Sequence, residues 1–350
     1  MTTTSVPFIR PLSLAELLDQ SISLYRRNFV VFIGIIALTY IPLGILQAGL
    51  SFLTTASSIS FLEGNTPTGL PDARYFLGVL GGIVITILQL ILVYGVATAA
   101  LTRTVADNYT GQKIGVLSAY RNLGSSWSRL LGAILLVALI VIGFFIWTII
   151  PCVGWFTGPG MLFFIALVVS PFVAPVVVLE KQRGFGAFRR AWDLGRSRFW
   201  WLIGFALVLW LFEQLLIAVP NWLLIFGAEF IFRDVTDLQQ QMILNNVITT
   251  VVALLTNLLF LPLNLVARTV VYFDLRVRSE GLDLALQAAA ETDPEVNIVS
   301  LAETSPAPQG SFINGTDVGY FVLLTLGGGA LYVLVVSLLG GIGMLLMSGL

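Results

Sequence analysis

Four polar side chains interrupt the apolar stretches of this sequence. Glu213 lies in LVLWLFEQLLIAVP, Gln89 lies in an earlier apolar run, and Asn257 and Asn264 lie seven residues apart in a later one. A carboxylate inside an apolar span is a candidate proton or cation site, because burying its charge is costly. In the alternative interpretation, which the sequence favours, Glu213 pairs with Gln89 or an asparagine, or reaches outer water, and the asparagines are packing contacts between helices.

Eight basic side chains form a second candidate set, grouped around two amphipathic segments. These are LSLAELLDQSISLYRRNF at 12–29 and GFGAFRRAWDLGRSRFW at 184–200. On a helix, each segment has one apolar and one charged arc, which is typical of helices lying in a membrane interface. Because each basic residue near a membrane attracts anionic headgroups by about 1 kcal/mol, we expect anionic-lipid contacts from Arg26, Arg27, Lys181, Arg183, Arg189, Arg190, Arg196 and Arg198. We expect no nucleic-acid partner, since only the charge would favour one.

The residue types that most enzymes use are scarce. The 350 residues contain no histidine and one cysteine, Cys152, which excludes histidine-based triads, HExxH zinc sites and an internal disulfide. The sequence also contains no GxGxxG or P-loop motif. We therefore expect no catalytic, cofactor-binding or metal site, and a protein that is not an enzyme.

The composition indicates which elements position these residues. The chain is 57% hydrophobic and 11% charged, with a mean hydropathy of +0.94, whereas soluble domains are about 25% charged. It is therefore predicted to be a multi-pass membrane protein. Runs of about 20 apolar residues cross a hydrocarbon core of about 30 Å. Seven such runs lie at 29–53, 76–102, 130–150, 160–179, 199–219, 246–272 and 318–347.

The positions of the basic residues predict the orientation. With the N-terminus in the cytoplasm, 16 of the 18 Lys and Arg residues, Arg268 among them, lie on or near the cytoplasmic side, as the positive-inside rule requires. Seven spans then place the C-terminus outside. The N-terminal sequence lacks the layout of a signal peptide, so we expect an uncleaved first span. These features predict a multi-pass protein of the cytoplasmic membrane.

The chain carries signs of an internal repeat. Aligning Phe29 with Phe199 also matches Arg26 with Arg196, and a weaker amphipathic segment lies at 116–129. We predict an all-α integral membrane fold whose six-helix core consists of three repeats, each an interfacial amphipathic helix followed by a helical hairpin, with one further C-terminal transmembrane helix. The repeats would lie at about 13–106, 115–179 and 186–275.

Three regions follow from this pattern. A membrane domain is predicted at 1–284, a disordered cytoplasmic linker at 285–317 and the C-terminal transmembrane helix at 318–350. The linker is acidic, rich in Ala and Pro and without periodicity. Ser337 and Gly341 in the last helix form a small-xxx-small pair, which indicates close helix packing. We expect membrane lipids as partners, together with a homo-oligomer or another membrane protein.

Four segments, taken together, resemble the bacterial and archaeal glycerophosphoryl diester phosphodiesterase membrane domain family. They are RPLSLAELLDQSISLYRRNF, ALTRTVADNYTGQ, FRRAWDLGRSRFWWL and YFDLRVRSEGLDL, and the resemblance covers residues 8–285 through their order and spacing. The resemblance implies a membrane fold and a location in the cytoplasmic membrane of a prokaryote. It implies no catalytic residue, because the soluble barrel that names the family, with its histidines, is absent.

These observations favour a membrane-organising or lipid-interacting protein without enzymatic activity. The main alternative is a transporter or channel for a small solute or lipid, in which Glu213, Asn257 and Asn264 line a path between repeats. An intramembrane enzyme is a third hypothesis, for which no pair of residues is suitably spaced.

Overall fold

A computed structural model describes residues 10–62, 73–109, 114–231, 238–292, 301, 303 and 311–348. All regular structure in these ranges is helical, which confirms the predicted all-α class. The helices are α1 (Leu14–Arg27), α2 (Phe29–Leu62), α3 (Ala73–Gln89), α4 (Thr98–Tyr109), α5 (Val116–Arg121), α6 (Ser126–Trp147), α7 (Val153–Phe164), α8 (Ser170–Leu179), α9 (Gly184–Arg196), α10 (Phe199–Ile231), α11 (Leu238–Glu280), α12 (Leu282–Thr292) and α13 (Gly315–Ser348).

Two of the long helical runs are continuous only through π-helical stretches. Leu90–Ala97 joins α3 to α4, and Ile165–Val169 joins α7 to α8. The second stretch ends two residues before Pro171. The ring of a proline clashes with the preceding helical turn, and its missing N–H removes a hydrogen bond. A widened turn at this point relieves that conflict.

The membrane-spanning character follows from length and composition. Among the described residues, five helical runs are long and apolar enough to cross a membrane: Phe29–Thr55, Ala73–Asn108, Ser126–Trp147, Val153–Leu179 and Ile243–Glu280. A sixth candidate combines α9 with Phe199–Leu215 of α10, and these two helices meet at a bend of 95°. The chain is therefore a multi-pass membrane protein. The seventh predicted span falls in α13, and the packing of Gly341 lies outside what the structure describes.

Helix α11 extends beyond the predicted sixth span at both ends. Its 43 residues cover about 64 Å at 1.5 Å per residue, about twice the thickness of a hydrocarbon core. Its C-terminal half is packed against α1. The Leu12 N–H donates to Asp274 at 2.8 Å, and the Tyr25 hydroxyl donates to the Leu259 carbonyl at 2.9 Å, so α1 lies lengthwise along α11.

The apolar arc of α9 packs against protein. Phe188, Ala191, Trp192 and Leu194 are all buried, and the backbone at Gly195 contacts the Val168 carbonyl, where a side chain would clash. The sequence predicted that this arc would face lipid. The difference arises because the long returning helices offer an apolar protein surface on which the arc can pack instead.

A buried charge network joins the ends of α8, α9 and α11. The Glu180 side chain is fully buried, accepts from Tyr272 at 2.8 Å and pairs with Arg190 at 2.8 Å. Arg190 also pairs with Glu280 at 2.5 Å, and Arg276 donates to Glu280 at 2.8 Å. We call Glu180, Arg190, Tyr272, Arg276 and Glu280 the buried network. Its two carboxylates and two guanidinium groups balance in charge.

Helix α13 is an integral part of this packing. Its Asp317 side chain is fully buried and pairs with Arg196 of α9 at 3.3 Å. The Gly160 N–H of α7 donates to the Thr325 hydroxyl of α13 at 2.8 Å. A side chain at Gly160 would collide with the Phe321 backbone, so glycine permits the close approach of the two helices.

The predicted linker is helical in part. Residues 285–292 belong to α12, and α13 begins three residues before the predicted boundary. Residues 293–300, 302 and 304–310 lie outside the described part of the chain. The threefold repeat stays a prediction.

Candidate functional site

A partly open cavity of about 120 Å³ lies between α8, α10 and α11. Most of its lining is apolar and comes from these helices and from the Ile165–Val169 stretch. Three polar side chains face it, Glu213 of α10 and Asn264 and Arg268 of α11. The two α11 residues lie one helical turn apart, so both point to the same side of that helix.

Arg268 lies within the predicted sixth span, 246–272, four residues from its end. It precedes the end of α11 by 12 residues, which corresponds to about 18 Å along the helix. Among the described residues it makes no ion pair within 4.0 Å and no hydrogen bond. Glu213 and Tyr94 are the ionisable groups near enough to act on its charge. A guanidinium inside a membrane normally pairs with an acidic group or a carbonyl, so its donors are available to a ligand.

Asn264 supplies a second unused polar group. The residue is 9% exposed, and its buried side-chain oxygen has no hydrogen-bond donor among the described residues. A buried amide oxygen without a donor costs about 1–3 kcal/mol. The oxygen therefore represents an acceptor that the protein itself leaves unsatisfied beside the cavity.

The comparisons with known proteins do not place this chain in a family. No family model, curated protein or solved structure matches it. The resemblance to the glycerophosphoryl diester phosphodiesterase membrane domain family therefore stays a prediction, and the candidate site depends on its own geometry.

The structure brings together two of the four polar residues that the sequence singled out. Glu213 and Asn264 line the same cavity. The Asn257 amide donates to the Ala253 carbonyl of its own helix at 2.7 Å, and Gln89 ends α3 outside the cavity lining. Glu213 makes no hydrogen bond to another described residue.

Sequence reasoning missed Arg268 as a site residue. Counting basic residues assigned it only to a side of the membrane, on or near the cytoplasm, and the structure adds that it lines the cavity. The available signal was its spacing, because Arg268 follows Asn264 by four residues within the predicted sixth span. Residues four apart share a helix face.

Several candidate lipid-binding cations are engaged within the protein. Lys181 pairs with Glu303 at 2.6 Å, Arg189 with Asp193 at 4.0 Å, and Arg196 with Asp193 at 2.7 Å. Arg190 belongs to the buried network, and the Arg198 guanidinium lies 5.5 Å from the Trp201 ring centre. The other three, all exposed, are Arg26, Arg27 and Arg183.

The N-terminus of α1 shows how local structure fixes one surface carboxylate. Ser13 and Glu16 form a capping box, in which each side chain bonds the backbone N–H of the other. The Ser13 backbone N–H, the Ser13 hydroxyl and Arg10 lower the pKa of Glu16 to about 2. The beginning of α1, and hence its placement along α11, is thereby specified.

Proposed function

We propose that this chain is a non-enzymatic, lipid-interacting protein of a prokaryotic cytoplasmic membrane. It holds the polar headgroup of an amphiphile in the cavity between α8, α10 and α11. The observation that carries the proposal is Arg268, an intramembrane guanidinium without an ion-pair partner within 4.0 Å among the described residues. A buried guanidinium without a direct partner is expensive, and a bound ligand whose phosphate accepts from it would offset that cost.

The shape of the cavity supports an amphiphile as the ligand. A cavity of about 150 Å³ accommodates benzene, so this cavity of about 120 Å³ has room for a small polar group and not for acyl chains. Trp210 on its rim is 43% exposed, and the adjacent Leu211 is 49% exposed. Acyl chains would lie along this outward surface of α10.

The orientation proposed with this function follows the positive-inside rule. The N-terminus lies in the cytoplasm and the C-terminus outside. The exposed Arg26, Arg27 and Arg183 then contact anionic lipids of the inner leaflet. A membrane-impermeant maleimide tests this orientation directly, because Cys152 is exposed, is the single cysteine and connects α6 to α7.

We expect intact cells to be labelled at Cys152 from outside. The control carries Ser118→Cys in a Cys152→Ser background, since Ser118 is exposed on α5, at the opposite end of α6. That variant should react only after the membrane is permeabilised. The reverse pattern would invert the proposed topology.

A transporter or channel is less well supported by the geometry. A path would need polar residues at several depths, and Asn257 and Gln89 do not line the cavity. The three polar groups that do meet there form one local site. A binding site for a headgroup is therefore the function that the described residues support best.

Mass spectrometry of the gently purified protein with its native lipids tests the proposal. We expect a stoichiometric phospholipid that survives purification in the wild type and is lost in Asn264→Leu and in Arg268→Leu. The matched control is Asn257→Leu, which removes the same side chain two turns away on α11 and should retain the lipid. Equal retention in all variants, or bulk lipid alone in the wild type, would refute the proposal.

A further inference from the structure

We propose that the ligand of this cavity is a zwitterion that carries a primary ammonium as well as an anionic group. A phosphoethanolamine headgroup has this chemistry. The inference rests on the proposed function and adds the chemical class of the ligand. It follows from the three polar groups of the cavity, which divide into one donor set and one acceptor set.

Arg268 accounts for the anionic group of the ligand. A guanidinium has five N–H donors and no acceptor, and its planar arrangement fits two oxygens of a phosphate or carboxylate. Since no described carboxylate lies within 4.0 Å of Arg268, these donors are not already occupied by an ion pair.

Glu213 and Asn264 account for the ammonium group. The carboxylate of Glu213 can only accept hydrogen bonds. The unpaired atom of Asn264 is its side-chain oxygen, which is also an acceptor. A primary ammonium has three N–H donors for such oxygens, whereas a quaternary ammonium has none. The acceptor set therefore distinguishes ethanolamine from choline chemistry.

The charge balance of the cavity points to the same class. Glu213 and Arg268 together carry no net charge, and burying an uncompensated charge in an apolar surrounding is strongly unfavourable. A zwitterion leaves the occupied cavity neutral. A headgroup with a single negative charge, such as phosphatidylglycerol, would leave one uncompensated charge in the site.

The two charged side chains also leave space for such a ligand between them. They face one cavity yet lie more than 4.0 Å apart, so they are not paired directly. One ligand that carries both charges can therefore contact both side chains, with its phosphate on Arg268 and its ammonium on Glu213 and Asn264.

Lipid selectivity tests this inference. The protein is placed in mixed micelles that contain phosphatidylethanolamine, phosphatidylglycerol or phosphatidylcholine, and the bound lipid is counted by native mass spectrometry. We expect the wild type to prefer phosphatidylethanolamine by about tenfold or more, because phosphatidylcholine has no N–H donor for the two acceptors and phosphatidylglycerol leaves an uncompensated charge.

The decisive variant is Glu213→Gln, which keeps the size of the side chain and removes its charge. We expect it to lose the preference for phosphatidylethanolamine over phosphatidylglycerol while it still binds lipid through Arg268. Glu16→Gln, an exposed change on α1, is the control and should keep the wild-type preference. A preference that is unchanged in Glu213→Gln would overturn the inference.

Two further results separate this inference from the function beneath it. If the wild type binds phosphatidylglycerol and phosphatidylethanolamine equally tightly, the assignment of a zwitterionic ligand is wrong, whereas headgroup binding is still supported. If no lipid is bound above the level of Arg268→Leu, headgroup binding fails too, and the inference fails with it. Displacement of lipid by soluble phosphoethanolamine would assign the same chemistry to a free zwitterion, and no displacement would assign it to the lipid.

Discussion

Neutralising Glu180 should destabilise the protein more than any neutralisation on its surface. This carboxylate is fully buried and accepts from Tyr272 at 2.8 Å and from Arg190 at 2.8 and 3.1 Å, with Arg276 at 3.7 Å. The change Glu180→Gln leaves two guanidinium groups against one carboxylate, Glu280. Arg276 is only 3% exposed, so water cannot replace the lost charge.

The expected magnitude follows from this uncompensated charge. Removing one partner of a buried ion pair costs about 3–5 kcal/mol, mainly because the other charge stays buried. The neighbouring change Lys181→Gln breaks the pair with Glu303, in which both side chains are well exposed. Such surface pairs contribute about 0–1 kcal/mol, so this variant is the matched control.

The assay is reversible unfolding in mixed micelles, which gives a free energy for each variant. We expect Glu180→Gln to lose about 3–5 kcal/mol and the double variant Glu180→Gln, Arg276→Gln to recover part of that loss, because the charges balance again. A cost for Glu180→Gln no larger than that for Lys181→Gln would refute the network as described. A double variant that loses the sum of both single costs would refute the charge argument.

Three further predictions concern other parts of the molecule. Removing both charges of the cavity, Arg268→Leu together with Glu213→Gln, should stabilise the lipid-free protein by about 1–4 kcal/mol in the same assay, because neither charge is then left without its counter-charge; a loss of stability would assign the two side chains a structural role. Gly160→Ala should prevent α13 from packing, whereas Gly132→Ala, where the added carbon meets nothing within 4 Å, should be harmless by thermal unfolding. Because the pKa of Glu16 is lowered from 4.5 to about 2, its charged form stabilises α1 at pH values above 4.5, and this contribution is lost as the pH falls through about 2. In Ser13→Ala, an NMR titration should show a higher pKa for Glu16.

The helices could be predicted from the sequence because hydrophobic periodicity records them directly. The apolar runs lie within the long helices, and the amphipathic arcs of α1 and α9 were identified correctly. The surface that covers those arcs could not be predicted, because lipid and apolar protein favour the same side chains. The extra length of α11, eight residues beyond the predicted span at each end, provides the surface that covers α1, whereas α9 packs against the Ile165–Val169 stretch.

The candidate site was half predictable. Glu213 and Asn264 were visible as polar interruptions of apolar runs, and periodicity places each on its helix. Their convergence with Arg268 depends on the contact of α10 with α11 and on the position of Arg268, about 18 Å from the end of α11. Counting the charges in each loop reveals neither of these features. The buried network was hidden for the same reason, since Glu180 and Tyr272 are 92 residues apart.

The contact between Gly160 and Thr325 also bears on how the protein is made. Helix α7 ends at Phe164 and α13 ends at Ser348, and at 5–20 residues per second a ribosome needs roughly 10–40 s to cover the distance between them. During this time the Gly160 N–H and the buried Trp192 lack their partners from α13. A chain that stops before α13 would keep these groups exposed permanently. The packing of α7 is thus finished only after α13 has been synthesised, and this contact distinguishes chains that contain α13 from chains truncated before it.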